Sequence, residues 1–169
     1  MTVRVQIEDF DAGAEINRMR LSRADTGAVA AFIGQVRDLN EGSDVTAMTL
    51  EHYPGMTEKA LQDIVDQARQ RWDIFDALII HRVGTLKPTD QIVLVVVSGV
   101  HRGEAFAACE FIMDYLKTEA PFWKKEQTSE GERWVEARSS DDAARQRWAE
   151  EHPDEAARER WARSKEISD

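Results

Sequence analysis

The chain has 169 residues and a formal net charge of -10 at pH 7. This length suits one domain with a proper core, and the acidic balance excludes a nucleic-acid or anionic-membrane partner held by bulk electrostatics, since phosphate groups select basic surfaces. Any anion that the protein binds must therefore be held in a local pocket.

The cysteine content and the first residues indicate the compartment. The chain has one cysteine, Cys109, which excludes an internal disulfide and a thiolate cluster that ligates zinc or iron-sulfur. The opening MTVRVQIEDF lacks an apolar signal core, and no apolar run approaches the roughly 20 residues that cross a bilayer. We therefore expect a cytoplasmic protein with no metal site and no cofactor of its own.

The first third of the chain alternates strands with a short helix. Period-two alternation predicts a strand over TVRVQIE, and a helix follows over residues 12–21. GAVAAFIGQVR is a nearly continuous apolar strand, and the glycine-bearing DLNEGSD after it predicts a loop. VTAMTLEHY returns as another alternating strand.

The middle of the chain contains its most apolar segment. Apolar residues from Ala60 to Trp72 recur at helical spacing and predict an amphipathic helix of about four turns. FDALIIHRVG is then a strand, and QIVLVVVSG follows after a turn built on Pro88. Its β-branched run favours a central strand that is covered on both faces.

A second strong helix and a hairpin complete the predicted domain. The helix runs from about His101 to Thr118, and Pro121 ends it. FWKKEQT and RWVEA predict two strands joined by a turn. The order of elements predicts an α+β domain over residues 1–138, with a mostly antiparallel sheet and two main helices.

The composition changes after residue 138 and becomes rich in Ala, Arg, Glu and Trp. The words AARQRW and AARERW start thirteen positions apart, which is too few copies for a solenoid, and Pro153 between them breaks or kinks a helix. We expect residues 139–169 to form a charged helical extension outside the main core, with Trp148 and Trp161 as its large anchors and no role in chemistry.

The first candidate site lies where the most apolar strand leads into the second strong helix. The opening turn of a helix presents unpaired N–H groups and a positive dipole end, and Arg102 beside His101 adds charge there. This combination favours binding of an oxyanion or a phosphate. The alternative is that Arg102 forms a salt bridge with a neighbour and His101 donates to a carbonyl.

Lys117 is the second candidate. It lies four residues after Met113 and eleven after Phe106, so it continues the stripe that we expect to be buried. A buried amine becomes partly neutral, and then it is nucleophilic or basic near pH 7. The alternative is an ordinary lysine that interacts with the last carbonyls of its helix.

The segment KTEAPFWKKE gathers further cations around aromatic residues. In a strand, Lys124 and Lys125 point to opposite faces, and Lys124 is the one that shares a face with Phe122. Because Pro121 turns the chain back after the helix, Lys124 can approach Lys117. Two ammonium groups that face one cleft repel each other unless an anionic ligand lies between them.

The remaining candidates are weaker. Arg37 and Arg138 follow strands and are compatible with a convergent anion pocket. His52 and His81 lie on strands without a partner at metal-ligand spacing, so we interpret both as hydrogen-bonded sheet histidines. Cys109 lies on the buried helix stripe, where a thiol behaves as a small apolar group.

Several long segments of the sequence match a known family. TGAVAAFIGQVR, MTLEHYPGMTEKAL, FIMDYLKTEAPFWKKE and RWVEAR, with the HR pair before the second helix, span most of residues 26–138. In these words the chain resembles the large, catalytic subunit of molybdopterin synthase. The resemblance implies an α/β hammerhead-type fold and a dimer of this subunit within a heterotetramer. The implied partner on each protomer is a small ubiquitin-like sulfur carrier.

The resemblance also implies a reaction and its residues. Two sulfurs pass from the carrier's C-terminal thiocarboxylate to cyclic pyranopterin monophosphate, which creates the dithiolene of molybdopterin. By resemblance, Lys117 matches the catalytic lysine and Lys124 a second essential lysine. The implied substrate-pocket residues and their neighbours, some of which the family can borrow across the dimer, are Arg37, His101, Arg102, Gln35, Val36, Lys125 and Glu126.

Two other functions stay open at this point. A non-catalytic module would use the same cationic cleft only to dock the tail of a ubiquitin-like partner. A phosphate-ester hydrolase that uses His101 would release phosphate without a sulfur donor, but the sequence offers it neither a metal site nor an activated nucleophile.

Overall fold

A computed structural model describes residues 2–40, 42–135 and 139–150. The first seven elements in these ranges are β1 (Val3–Gln6), α1 (Ala12–Leu21), β2 (Ala28–Gln35), β3 (Leu39–Asn40), β4 (Ser43–His52), α2 (Met56–Arg71) and β5 (Ile74–Arg82). The other six are β6 (Gly84–Leu86), β7 (Gln91–Gly99), α3 (Arg102–Glu119), β8 (Phe122–Thr128), β9 (Gly131–Val135) and α4 (Ser139–Glu150). None of the helices in these ranges combines the length and the apolar character that a bilayer crossing needs.

The first sheet has the strand order β1-β5-β7-β2. The pair β1–β5 is parallel and the other two pairs are antiparallel. Alternate residues of β7 face two separate cores: Val95 packs with residues of α2 and α3, and Leu94 packs with Met19 of α1. The prediction of a central strand covered on both faces is therefore confirmed, and so is the mostly antiparallel α+β fold.

The second sheet has the order β3-β4-β8-β9, with β6 also paired to β4. Its antiparallel registers place Leu50 opposite Lys124, and Lys124 opposite Val135. The predicted hairpin of β8 and β9 is confirmed. The inner face of this sheet contributes Met48 and Leu50 to a third apolar cluster, which lies between the two sheets.

Helix α4 is packed against the domain, so the expectation that residues 139–150 lie outside the core is wrong. Trp148 is 3% exposed and belongs to the main core. Its ring meets Trp72 and Phe111 edge to face at centroid distances of 5.3 and 5.7 Å, and its Nε1 donates to Asp114 Oδ2 at 2.7 Å. The second repeated word, with Trp161, lies outside the described residues.

The turn between β6 and β7 contains a strained residue. Asp90 N donates to Lys87 O at 2.9 Å, and Thr89 between them has φ +75°, a left-handed conformation that β-branched residues rarely adopt. The same turn is bonded twice to Val36, from Thr89 N to Val36 O at 2.8 Å and from Val36 N to Asp90 O at 3.0 Å. These two bonds fix the end of β2 immediately before Arg37.

We predict that Thr89→Gly raises the free energy of unfolding by about 1 kcal/mol, because glycine adopts this backbone conformation without strain. Thr85→Gly is the matched control: Thr85 is an exposed residue of β6, and glycine within a strand lowers stability. Urea unfolding of both variants measures the difference. A loss of stability in Thr89→Gly equal to that in Thr85→Gly would contradict the assignment of strain.

Candidate active site

A cavity of about 550 Å³ lies where the end of α3 meets strands of both sheets. That volume is in the range of sites for small ligands. Its apolar wall includes Phe32, Met48, Leu50, Ile92, Leu116 and Phe122, and its cationic groups are Arg37, Lys117 and Lys124. We call it the lysine cavity.

The structure brings most of the candidate residues of the sequence into this cavity. Strand β2 and the residues after it, α3, and β8 contribute them from three separate parts of the chain. The candidates that line the lysine cavity are Gln35, Val36, Arg37, Lys117, Lys124 and Glu126. The predicted approach of Lys124 to Lys117 on the face of Phe122 agrees with this arrangement.

Lys117 reaches the cavity from the rim and not from the core. It is an exposed residue near the end of α3, and Phe106, eleven residues earlier on the same side of the helix, is 65% exposed. Our premise that Phe106 and Lys117 continue the buried stripe is therefore wrong. The buried positions of α3, such as Ile112 and Leu116, lie on the neighbouring side. Desolvation in the core is not what prepares this amine for chemistry.

Lys124 is held by a buried carboxylate. Glu126 is 3% exposed, and its Oε1 lies 3.7 Å from Lys124 Nζ and accepts from Asn40 Nδ2 at 2.7 Å. Its Oε2 accepts from Arg133 Nη2 at 3.1 Å, and the same Nη2 donates to Asn40 O at 2.8 Å. The network satisfies the buried charge and ties β3, β8 and β9 together beneath the cavity.

Sequence reasoning missed Asn40 and Arg133. The hairpin register places Arg133 opposite Glu126, so counting back from the predicted turn between β8 and β9 would have paired them. Asn40 lies in a segment that we predicted as a loop, and nothing in its neighbours indicates an 86-residue contact to Glu126.

Thr57 connects the two longest sequence segments that match the family, MTLEHYPGMTEKAL and FIMDYLKTEAPFWKKE. Its side chain is fully buried, its Oγ1 donates to Pro121 O at 3.1 Å, and it accepts from Tyr53 N at 3.0 Å. The hydroxyl therefore joins the start of α2 to the connection between α3 and β8. This connection sets where Lys117 and Lys124 lie relative to each other.

His81 also lines the cavity, which we did not predict. Its ring is 5% exposed and stacks on Phe122 at 3.8 Å with an interplanar angle of 17°, and its Nδ1 donates to Arg82 O at 2.8 Å. The pKa of His81 is lowered to about 4, chiefly because the ring is buried and in smaller part because of the charges of Lys117 and His52, while the hydrogen bond to the Arg82 carbonyl opposes this shift. The imidazole is therefore neutral at pH 7.

Four candidates lie elsewhere or outside the description. Lys125 is on the opposite face of β8, because strand side chains alternate, and its Nζ pairs with Glu132 Oε2 at 2.8 Å. His101 and Arg102 are at the other end of α3. His101 is sixteen residues from Lys117, which corresponds to about 24 Å along a helix. Arg138 lies outside the described residues.

Helix α4 alters the charge around the cavity. Arg145 Nη1 pairs with Glu119 Oε1 at 2.8 Å, so the carboxylate nearest to Lys117 in sequence is engaged by the C-terminal helix. Asp141, in the first turn of α4, lines the cavity itself. The described part of the extension is therefore adjacent to the candidate site, although we expected the extension to have no role in chemistry.

Comparison with known proteins points to a single family. The family model described as MoaE protein matches residues 5–119. A molybdopterin synthase catalytic subunit from Ralstonia nicotianae is 69% identical over 147 residues, which cover 87% of this chain and 84% of the relative.

Two solved structures have the same fold. The molybdopterin biosynthesis MoaE protein from Burkholderia ambifaria MC40-6 is 60% identical with a TM-score of 0.76, over 89% of this chain and 99% of that one. Molybdopterin synthase from Staphylococcus aureus is 32% identical with a TM-score of 0.74, over 80% of this chain and 98% of the matched chain.

We predict that Glu126→Ala lowers the free energy of unfolding by about 3 kcal/mol, because it leaves the buried Asn40 amide and the half-buried charges of Lys124 and Arg133 without their shared partner. Glu126→Gln, which keeps an acceptor for Asn40 but loses the charge, costs about half of that. Glu132→Ala is the control, since its ion pair with Lys125 lies on the solvent face of the same hairpin. Equal midpoints of urea unfolding for Glu126→Ala and Glu132→Ala would contradict the supporting role of Glu126.

Proposed function

The chain belongs to the MoaE protein family, and from that premise we propose that it is the catalytic subunit of a molybdopterin synthase. As a sulfurtransferase, it passes sulfur from the C-terminal thiocarboxylate of a small ubiquitin-like carrier to cyclic pyranopterin monophosphate. The product carries the dithiolene of molybdopterin. The observation that carries this proposal is the lysine cavity.

The charge of the cavity fits the charge of both reactants. A phosphorylated pterin and a thiocarboxylate are anions, and the protein as a whole has a net charge of -10. Arg37, Lys117 and Lys124 concentrate positive charge in the cavity of a protein whose net charge is negative. The aromatic and aliphatic wall excludes water from part of the site, which strengthens these interactions.

The two lysines have different settings and therefore different roles. Lys117 is exposed at the rim, where the tail of a carrier enters, and we assign it to the thiocarboxylate and to the proton transfer or addition step. Lys124 is held by Glu126, so it offers a fixed positive charge to the substrate. We assign Gln35, Val36 and Arg37 to substrate binding.

The free edge of the first sheet supports a dimer. Strand β2 is an edge strand, and Ala31, Phe32 and Ile33 at its midpoint are exposed. An exposed apolar edge is a template for pairing with another chain, and twofold pairing is the commonest solution in oligomers. We propose that β2 meets β2 of a second copy in antiparallel orientation.

This pairing brings the missing cations to the cavity. Gln35, at one end of β2, lines the cavity, whereas Ala28, at the other end, lies opposite Gly99, two residues before His101. Twofold antiparallel pairing sets the Gln35 end of one copy beside the Ala28 end of the other. The strand spans about 23 Å, close to the about 24 Å that separates His101 from Lys117 along α3. We therefore assign His101 and Arg102 to the lysine cavity of the second copy.

The remaining predictions concern Lys125, Arg138, the cellular location and the carrier subunit. Lys125 receives no substrate contact in this account, because it lies across the sheet from the cavity. Arg138 as an additional site residue and a location in the cytoplasm stay predictions from the sequence. The carrier subunit completes a heterotetramer with two catalytic subunits.

We predict that Lys117→Ala lowers the rate of dithiolene formation at least about 100-fold while the affinity for the carrier changes little. Lys59→Ala, on the exposed surface of α2, is the control and retains full activity. The assay supplies thiocarboxylated carrier and cyclic pyranopterin monophosphate and detects the product by mass. A non-catalytic docking module would instead give no product with any variant, and Lys117→Ala would mainly weaken carrier binding.

A further inference from the structure

The imidazole of His81 is held by two contacts and by burial within the lysine cavity. One face of the ring stacks on Phe122, Nδ1 donates to the carbonyl of Arg82, and only 5% of the residue is exposed. The strand β5 that carries it is an inner strand of the first sheet, so its backbone is fixed by neighbours on both sides. A ring held this firmly has a single orientation.

The hydrogen bond of Nδ1 determines the tautomer of the ring. A carbonyl oxygen only accepts, so Nδ1 carries the proton that the Arg82 carbonyl receives. In the neutral imidazole the other nitrogen, Nε2, then has a lone pair and no proton. Because Nδ1 and one face are occupied, Nε2 is the polar atom of His81 left to meet the cavity.

The neighbours of His81 identify what Nε2 meets. Lys117 on α3 and His52 on β4 are the two groups whose positive charge opposes protonation of the ring. Arg37, Lys124 and Glu126 face the same cavity from other elements, and Glu126 engages Lys124. Of these groups, Lys117 is the one that lines the same cavity, acts on the ring through its charge and carries N–H donors.

We propose that His81 is a positioning residue of this site, whose bare Nε2 accepts a hydrogen bond from the Lys117 ammonium and holds it in the cavity. The inference rests on the proposed function, since it deepens the role of Lys117. A neutral acceptor orients an ammonium group without cancelling its charge, whereas a carboxylate partner would do both. The two lysines thus differ in their support, with an imidazole beside Lys117 and a carboxylate beside Lys124.

The first test examines the resting protein without carrier or substrate. In ¹⁵N-histidine-labelled protein, we expect NMR to show His81 with a protonated Nδ1 and a bare Nε2 from pH 8 to pH 5.5. Lys117→Met, which removes the charge and keeps the length of the side chain, should raise the pKa of His81. A bare Nδ1, or a His81 titration that is the same in wild type and Lys117→Met, would overturn the proposal.

The second test separates the acceptor from the ring. His81→Gln loses the ring but places a carbonyl oxygen near the position of Nε2, whereas His81→Asn loses the ring and reaches only to the position of Nδ1. We expect kcat of the complete complex within about threefold of wild type for His81→Gln and about tenfold lower for His81→Asn. Melting temperatures of both variants show that each is folded at the assay temperature.

The outcomes distinguish this inference from the proposed function. Equal kcat values for His81→Gln and His81→Asn would overturn the positioning role even if wild type transfers sulfur normally. If wild type transfers no sulfur, the proposed function fails, and the NMR tautomer and titration of His81 in wild type and Lys117→Met still test whether the ring presents a bare Nε2 and senses the charge of Lys117.

Discussion

An unbroken helix fixes the distance between the two groups of cations in this chain. From His101 to Lys117, α3 spans about 24 Å, and no proline or glycine interrupts its second half. A helix does not fold back on itself, so one copy cannot bring both groups to one ligand. In our proposal the lysine cavity is therefore incomplete in a single chain, and the apolar edge of β2, which has nearly the same length, pairs with a second copy to complete it.

Charge is distributed locally in a protein that is acidic overall. The buried carboxylate of Glu126 engages Lys124 and Arg133, while Arg145 of α4 engages Glu119, the acid closest in sequence to Lys117. Each of these ion pairs partly neutralises a charged group near the cavity. Burial keeps His81 neutral, so the ring lines the cavity without adding a positive charge that would repel the Lys117 ammonium. The anion pocket therefore depends on a few fixed contacts and not on the net charge.

The sequence predicted those features that periodicity controls. The apolar run of β7 required cover on both faces, and alternation along β8 placed Lys124 with Phe122 and Lys125 on the other side. Prediction from the sequence failed where packing between distant segments determines the position of a side chain. Helical spacing alone cannot tell which flank of the stripe is buried, so Lys117 was placed on the wrong side. Trp148 was predicted as an anchor of the C-terminal extension, but the sequence could not show that it packs into the main core, because its partners Trp72 and Phe111 lie far away in the chain. His81 looked like any sheet histidine, because the neighbour that gives it a role is 36 residues away.

The most direct test of this account is a mixed dimer. Two differently tagged copies, one Lys117→Ala and the other Arg102→Ala, are co-expressed, and the heterodimer is purified through both tags and assayed with thiocarboxylated carrier. If Arg102 serves the cavity of the other copy, one cavity of the heterodimer carries both defects and the other none, so about half of the wild-type activity returns. If each chain uses its own Arg102, both cavities carry one defect, and a heterodimer as inactive as the parent variants would contradict the account.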